Sequence, residues 1–359
     1  MGEYSRMRII CDVDKIRDAE AIVLDCDGTI IDASGSYDLA VRVVTAIIID
    51  KLFRIEVEFG KDFEKALTRL RMTGGFNNDS DATSSLIQAL SIFIPDNIDI
   101  KSDKWERLEK IDKYIRPLEK EHSYPEFIHE ALEWLEYEIR SRREYFDLRK
   151  IEKLLDVKAS SLGRITRLLK LRKILNYPGA FGDSLLATLF DEVFLGAEGV
   201  KVKYSMEPRY AVYEGTLKNE RILIHEESIK KLIDLFPKGI ALVTGRGRWE
   251  TEKTLQPILK YFKMDASIFT ADKGIEYEKP NPKSLIESAR LLGARKIVYV
   301  GNSMEDLLMS QAANKEGLST GFVAVSNSEV LSREFEEMRA NAIIDDINEL
   351  PELILITKQ

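Results

Sequence analysis

Four short apolar runs constrain this chain most: Ala21-Ile22-Val23-Leu24, Ile240-Ala241-Leu242-Val243, Ile297-Val298-Tyr299-Val300 and Phe322-Val323-Ala324-Val325. Each is rich in aliphatic or β-branched residues and is followed by polar residues or glycine. Continuous rather than alternating hydrophobicity is what a strand shows when both of its faces are covered. Helical patterns lie between the later runs, at 226–236, 250–262 and 282–292. Strand and helix in alternation predict an α/β fold with a doubly wound, mostly parallel sheet. In such a sheet the ligand site lies at the carboxyl ends of the strands.

The middle of the chain reads differently. From about 37 to 190 helical spacing dominates, as in Phe127, Ala131, Trp134, Leu135 and Ile139, and again in Leu162, Ile165, Leu168 and Leu169. Arg164, Arg167, Lys170, Arg172 and Lys173 read as the solvated face of an amphipathic helix, or else as an attraction for an anionic substrate. There is no internal repeat and no low-complexity tract. The expected organisation is a core of 1–32 and 214–359, interrupted by a mainly helical insertion of 33–213, with the return near Glu214-Gly215.

Composition narrows the function classes. Acidic residues outnumber basic ones, 61 to 53, for a net charge of -8, so the basic footprint of a nucleic-acid binder is missing. Two cysteines, Cys11 and Cys26, allow neither a disulfide framework nor a four-cysteine zinc site. No apolar run has the length of a membrane span, and the first ten residues lack the apolar centre of a signal peptide. A cytoplasmic protein with no membrane and no nucleic-acid partner is expected. His122, His129 and His225 are scattered, without metal-ligand spacing or a catalytic dyad.

Chemistry concentrates after the first run, in Asp25-Cys26-Asp27-Gly28-Thr29. The two aspartates fall at the carboxyl end of the predicted strand, and Gly28 permits a tight turn. Carboxylates this close repel, so a divalent cation is a natural third party, and magnesium suits an all-oxygen site. The string resembles the first motif of the haloacid dehalogenase-like hydrolase superfamily, whose members are mostly phosphatases. That resemblance implies a Rossmann-like core, Asp25 as a nucleophile forming an aspartyl-phosphate, and Asp27 as the acid/base. Both roles are within the ordinary chemistry of carboxylates.

Three later segments extend the resemblance in the family's order. Thr244-Gly245 follows the second run and implies phosphate binding, with Arg246 or Arg248 as a further charged contact. Lys279, before Pro280, implies a cation that offsets the nucleophile and phosphoryl oxygens. Gly301-Asn302-Ser303-Met304-Glu305-Asp306 follows the third run. There Gly301 and Asp306 match, but Asn302 stands where an aspartate is usual. The implied metal set is Asp25, Asp27, Asn302 and Asp306, holding Mg2+ with less charge than usual. The insertion has the place of the family's helical cap, though it is longer than expected for one.

Within the insertion, 73–79 contains Gly75, Asn77 and Asn78. It reads either as a substrate loop or as a glycine turn with a helix cap at Asp79 or Ser80. The resulting expectation is a phosphomonoesterase for a small phosphorylated metabolite. A phosphosugar mutase on the same scaffold and a non-catalytic phosphate-ligand binder are the alternatives.

Overall fold

The computed structural model describes residues 7–73, 75–76, 78–100, 105–115, 125–142 and 145–359. The chain forms two compact units, Met1–Ala33 with Glu220–Gln359, and Ser34–Asn219. The first is an α/β layer structure with strands β1 (Arg8–Ile9), β2 (Ala21–Leu24), β3 (Ile31–Asp32), β4 (Arg221–Ile222), β5 (Ile240–Thr244), β6 (Ile268–Phe269), β7 (Lys296–Gly301), β8 (Ser319–Val325) and β9 (Ala342–Ile344). Seven of these make one sheet in the order β1-β9-β8-β7-β2-β5-β6. Its pairings are parallel except that of β1 with β9. β3 and β4 form a separate antiparallel pair, Ile31 opposite Ile222 and Asp32 opposite Arg221.

Both faces of the large sheet are covered, which explains the continuous apolar runs. Ile22, Leu24, Leu242, Val298, Val300 and Val323 pack to one side with Ile229, Leu232, Leu350, Leu353 and Ile354 of helices Glu226–Leu235 and Leu350–Lys358. Their neighbours Ala21, Val23, Val243, Ile297, Tyr299, Phe322 and Ala324 pack to the other. There they meet Leu285, Leu307, Met309, Ala313 and Phe335 of helices Lys283–Leu291, Met304–Lys315 and Glu329–Glu337. The alternation of side chains along each strand thus feeds two cores rather than one core and solvent.

One helical pattern is shorter than its spacing predicts. The stretch 250–262 is a helix only as Arg248–Leu255, followed by a single 3-10 turn at Leu259–Tyr261. Pro257 has no N–H to donate and crowds the carbonyl four residues earlier, so the helix cannot run through it.

The second unit is helical. Helix Asp79–Phe93 packs against six others: Leu39–Phe53, Lys61–Arg71, Glu126–Arg142, Leu148–Ser161, Ile165–Leu175 and Leu185–Tyr204. A helix surrounded in this way has little polar face. Ala82, Ser84, Ser85, Leu86, Ala89 and Leu90 are all buried. Its hydroxyls are satisfied locally, Thr83 donating to the Asp79 carbonyl and Ser85 to that of Asp81.

Of the basic cluster of the insertion, Lys170 and Lys173 are exposed as expected of a solvated face, but the three arginines are turned to protein partners. Arg167, whose side chain is 9% exposed, donates to the carbonyls of Ser91, Ile94, Pro95 and Ile98. Arg164 donates to Ile92 O and Asp96, and Arg172 to Gln88 and Asp156. These guanidinium groups close the carboxyl end of helix Asp79–Phe93, where orphan carbonyls and the helix dipole favour cations.

The insertion also ends later than expected. Gly196 interrupts helix Leu185–Tyr204 at φ 75, and a Cβ there would lie 2.3 Å from the Glu214 carbonyl carbon. Gly215 faces it, a Cβ there falling 2.7 Å from the Leu195 main chain. Glu192 accepts the N–H groups of Arg209, Tyr210 and Ala211. These contacts hold the segment before 219 within the helical unit, so the return to the α/β unit comes at Glu220 rather than near Glu214. Among the described residues no helix is long and apolar enough to cross a membrane.

Candidate active site

Register alone gathers the first components. β2 lies between β5 and β7, Leu24 opposite Leu242 on one side and Val300 on the other. The residues that follow these strands therefore emerge together, and they include Asp25, Thr244 and Asn302. The Asp25 N–H continues the ladder by donating to Val300 O at 2.9 Å. The chain then turns sharply. Cys26 O accepts the N–H groups of Thr29, Ile30 and Ile31, and Gly28 N–H donates to Ile31 O. Gly28 has φ +70, a conformation that costs glycine little. Cys26 itself is buried in the core, and burial pushes its thiol well above the ordinary range.

Asp25 is buried, and its Oδ1 accepts from Lys279 Nζ at 2.6 Å. The same ammonium lies 2.7 Å from Asp306 Oδ1. One buried cation thus serves two buried carboxylates. Burial pushes the Asp25 carboxyl up, with the Lys279 charge opposing and the Asp306 and Asp27 charges reinforcing. Burial disfavours the charged form of Lys279, but the two carboxylates outweigh it and hold the ammonium above its usual range.

Both carboxylate oxygens of Asp306, expected at the metal, accept from protein donors. Its Oδ1 accepts from Tyr299 Oη as well as Lys279, and its Oδ2 from Ser303 N and Oγ. With Ser303 it forms a capping box at the start of helix Met304–Lys315. Both oxygens are thus committed to protein donors. The pattern Ser303-x-x-Asp306 carried that reading in the sequence.

Asn302 is half-buried, and its amide lies over Gly28, where a Cβ would come within 1.9 Å of Nδ2. Among the described residues no group of three or more His, Cys, Asp or Glu is arranged to hold a metal. The donors present are the carboxylates of Asp25 and Asp27, the latter held at Oδ1 by Arg246, and the Asn302 amide oxygen. This set is all oxygen, as magnesium prefers, and low in charge. A cavity of about 320 Å³ borders Gly28, Thr29 and Asn302 and extends toward Ser326, Ser328 and Asp346, away from Asp25.

Thr244 is buried at the end of β5, its Oγ1 accepting the Arg246 N–H at 3.2 Å. Gly245 is exposed with open space where a Cβ would be. Neither arginine is placed to await a phosphate. Arg246 donates to Asp27 and Glu220, and Arg248 is an exposed partner of Glu252.

Within 73–79, Gly75 and Asn78 make local contacts. Gly75 is packed on the Phe146 carbonyl, with room for no Cβ (2.0 Å). Asn78 caps helix Asp79–Phe93 through Oδ1 and Ser80 N, one residue earlier than expected. Asn77 and His122 lie outside the described residues. His129 pairs with Asp62 and Glu133, far in sequence from any site residue.

No protein-family model and no curated protein matches this chain. Solved structures do. A structural-genomics target of the Northeast consortium, ZR25, has a TM-score of 0.58 and 17% identity, covering 95% of this chain and 100% of its own. Phosphatase Tt82 from Thermococcus thioreducens has a TM-score of 0.52 and 19% identity, covering 88% and 99%. A HAD-superfamily hydrolase from Geobacter sulfurreducens is more distant, at 0.41 and 14%, covering 94% and 96%. The protein has an α/β fold with an inserted helical unit, and it shares that fold with a phosphatase.

Proposed function

We propose that this protein is a magnesium-dependent phosphomonoesterase of the haloacid dehalogenase-like type, working through an aspartyl-phosphate on Asp25. The observation that carries this reading is the buried Asp25 at the carboxyl end of the central strand, held by Lys279 at 2.6 Å. A carboxylate so placed is aimed and desolvated, and its ammonium neighbour can meet the charge of phosphoryl oxygens. The Thr244 hydroxyl and the open main chain at Gly245 supply further phosphate contacts. Asp27 acts as acid for the leaving oxygen and then as base toward water.

Mg2+ would be held by Asp25, by Asp27 and by the Asn302 amide oxygen. When bound, the ion supplies positive charge to the phosphoryl oxygens. Asp306 acts by holding Lys279. The inserted helical unit has in sequence the place of the family's cap and is proposed to select a small phosphorylated metabolite. The test is release of phosphate from p-nitrophenyl phosphate with Mg2+. Asp25→Asn should reduce it by at least about a thousandfold; turnover that survives this change sinks the assignment of nucleophile.

A further inference from the structure

Arg246 is buried, with a side chain 1% exposed. Its Nη1 donates to Asp27 Oδ1 at 2.8 Å and its Nη2 to Glu220 Oε2 at 2.7 Å. Glu220 is equally sealed and also accepts from the Thr254 hydroxyl. Asp27, by contrast, is 38% exposed. The guanidinium plane therefore bridges one fixed carboxylate below and one open carboxylate at the site. It is fixed at its base as well, because its N–H bonds Thr244 Oγ1.

This arrangement differs from that of a phosphate ligand, which would keep a terminal nitrogen for the anion. It also differs from an ordinary core ion pair, in which both partners are buried. A planar, doubly held guanidinium is suited to fixing another group in one orientation. We propose that Arg246 is a positioning residue for Asp27, anchored in turn by Glu220. It holds Oδ1 so that Oδ2 is the oxygen that exchanges the proton.

The proposal rests on the phosphomonoesterase reading. In the first half-reaction an Asp25 oxygen bonds to phosphorus as the ester P–O bond breaks, and the proton on Asp27 Oδ2 passes to the departing oxygen. The carboxylate charge left on Asp27 is met by Arg246. In the second half-reaction water gives that proton back as its oxygen bonds to phosphorus and the Asp25–phosphorus bond breaks.

The dependence on leaving group isolates this role. p-Nitrophenolate leaves with little help from an acid, whereas phenolate needs a proton more. Wild type, Arg246→Gln and Glu220→Gln are compared on p-nitrophenyl phosphate and phenyl phosphate at saturating Mg2+. For Arg246→Gln, kcat should fall about 30- to 100-fold on the phenyl ester but less than about 5-fold on the nitrophenyl ester. KM should stay within about twofold on both. Glu220→Gln should show the same bias at smaller size, and it decides the matter if Arg246→Gln does not fold.

Equal losses on the two esters would overturn the proposal, as would a loss confined to KM, which would make Arg246 a phosphate ligand. Absence of turnover by the wild type, or turnover that survives Asp25→Asn, is instead the failure of the underlying reading and removes both.

Discussion

Lys279→Met keeps most of the side chain's bulk and removes the charge that Asp25 and Asp306 share. At 2.6 and 2.7 Å, each contact has a gross attraction of about 6 kcal/mol at an effective dielectric of about 20. Most of that is offset by the cost of burying the ammonium. What the variant exposes is the stranded carboxylates, and they are not equal. Asp306 keeps Tyr299 and both Ser303 donors. Among the described residues, the Asp25 carboxylate has no donor other than Lys279. Stranding one buried charge costs about 3–5 kcal/mol. Because Asp25 can take up a proton, the lower end, about 3 kcal/mol, is expected.

Urea unfolding with a chelator present, so that no divalent cation replaces the lost charge, gives the difference. Amide exchange in β2 and β7 assigns it to the α/β unit. Adding Asp25→Asn to Lys279→Met should return about 2 kcal/mol, since the amide carries no charge to strand. A loss below about 1 kcal/mol in the single variant, or no return in the double, would refute the claim that one ammonium holds both carboxylates.

Two more outcomes follow from the helical unit. Gly196→Ala places a Cβ 2.3 Å from the Glu214 main chain at φ 75, so urea unfolding should show a loss of about 2–4 kcal/mol, read in amides of helix Leu185–Tyr204. His129 should titrate above the usual 6.5 by NMR, because the Asp62 hydrogen bond favours its charged form, and Asp62→Asn should bring it down. Its pKa is raised in the folded state, so its contribution to stability is present below pH about 6.5 and lost as pH rises through the raised value.

The parts of the fold that follow from local pattern were legible in the sequence. Ala21–Leu24 is a strand to the residue, and the runs at 240, 297 and 322 mark β5, β7 and β8. β6 and β9 escaped because two or three residues carry no period. That Asp25 and Thr244 come close together was legible because each falls at the end of a recognisable strand, and those strands pair.

The pairing of Arg246 with Asp27 and Glu220 could not be read. It joins residues 219 and 26 positions apart, and no local spacing encodes such contacts. The engagement of Asp306 by Ser303 is the opposite case. A local motif, the capping box, competes for the same carboxylate and wins it in the fold. The arginines of the cluster at 164–173 were misread, though Lys170 and Lys173 are exposed as expected, because amphipathic spacing says which residues share a face. It does not say that a helix end lies opposite.

The antiparallel pair Ile31–Asp32 and Arg221–Ile222 has a consequence for how the chain comes together. It brings the two ends of the insertion side by side, so the α/β unit meets everything between them as the loop of a hairpin. Loop-closure entropy grows only logarithmically with length, and a long insertion is therefore thermodynamically cheap at this point. Its cost is in time. β2 bears Asp25 and is made early, yet both of its neighbours, β5 and β7, come after the insertion. This interior strand must wait, without its parallel neighbours, until the helical unit between has been synthesised. A slow, late docking of β2 is what such long-range pairing entails.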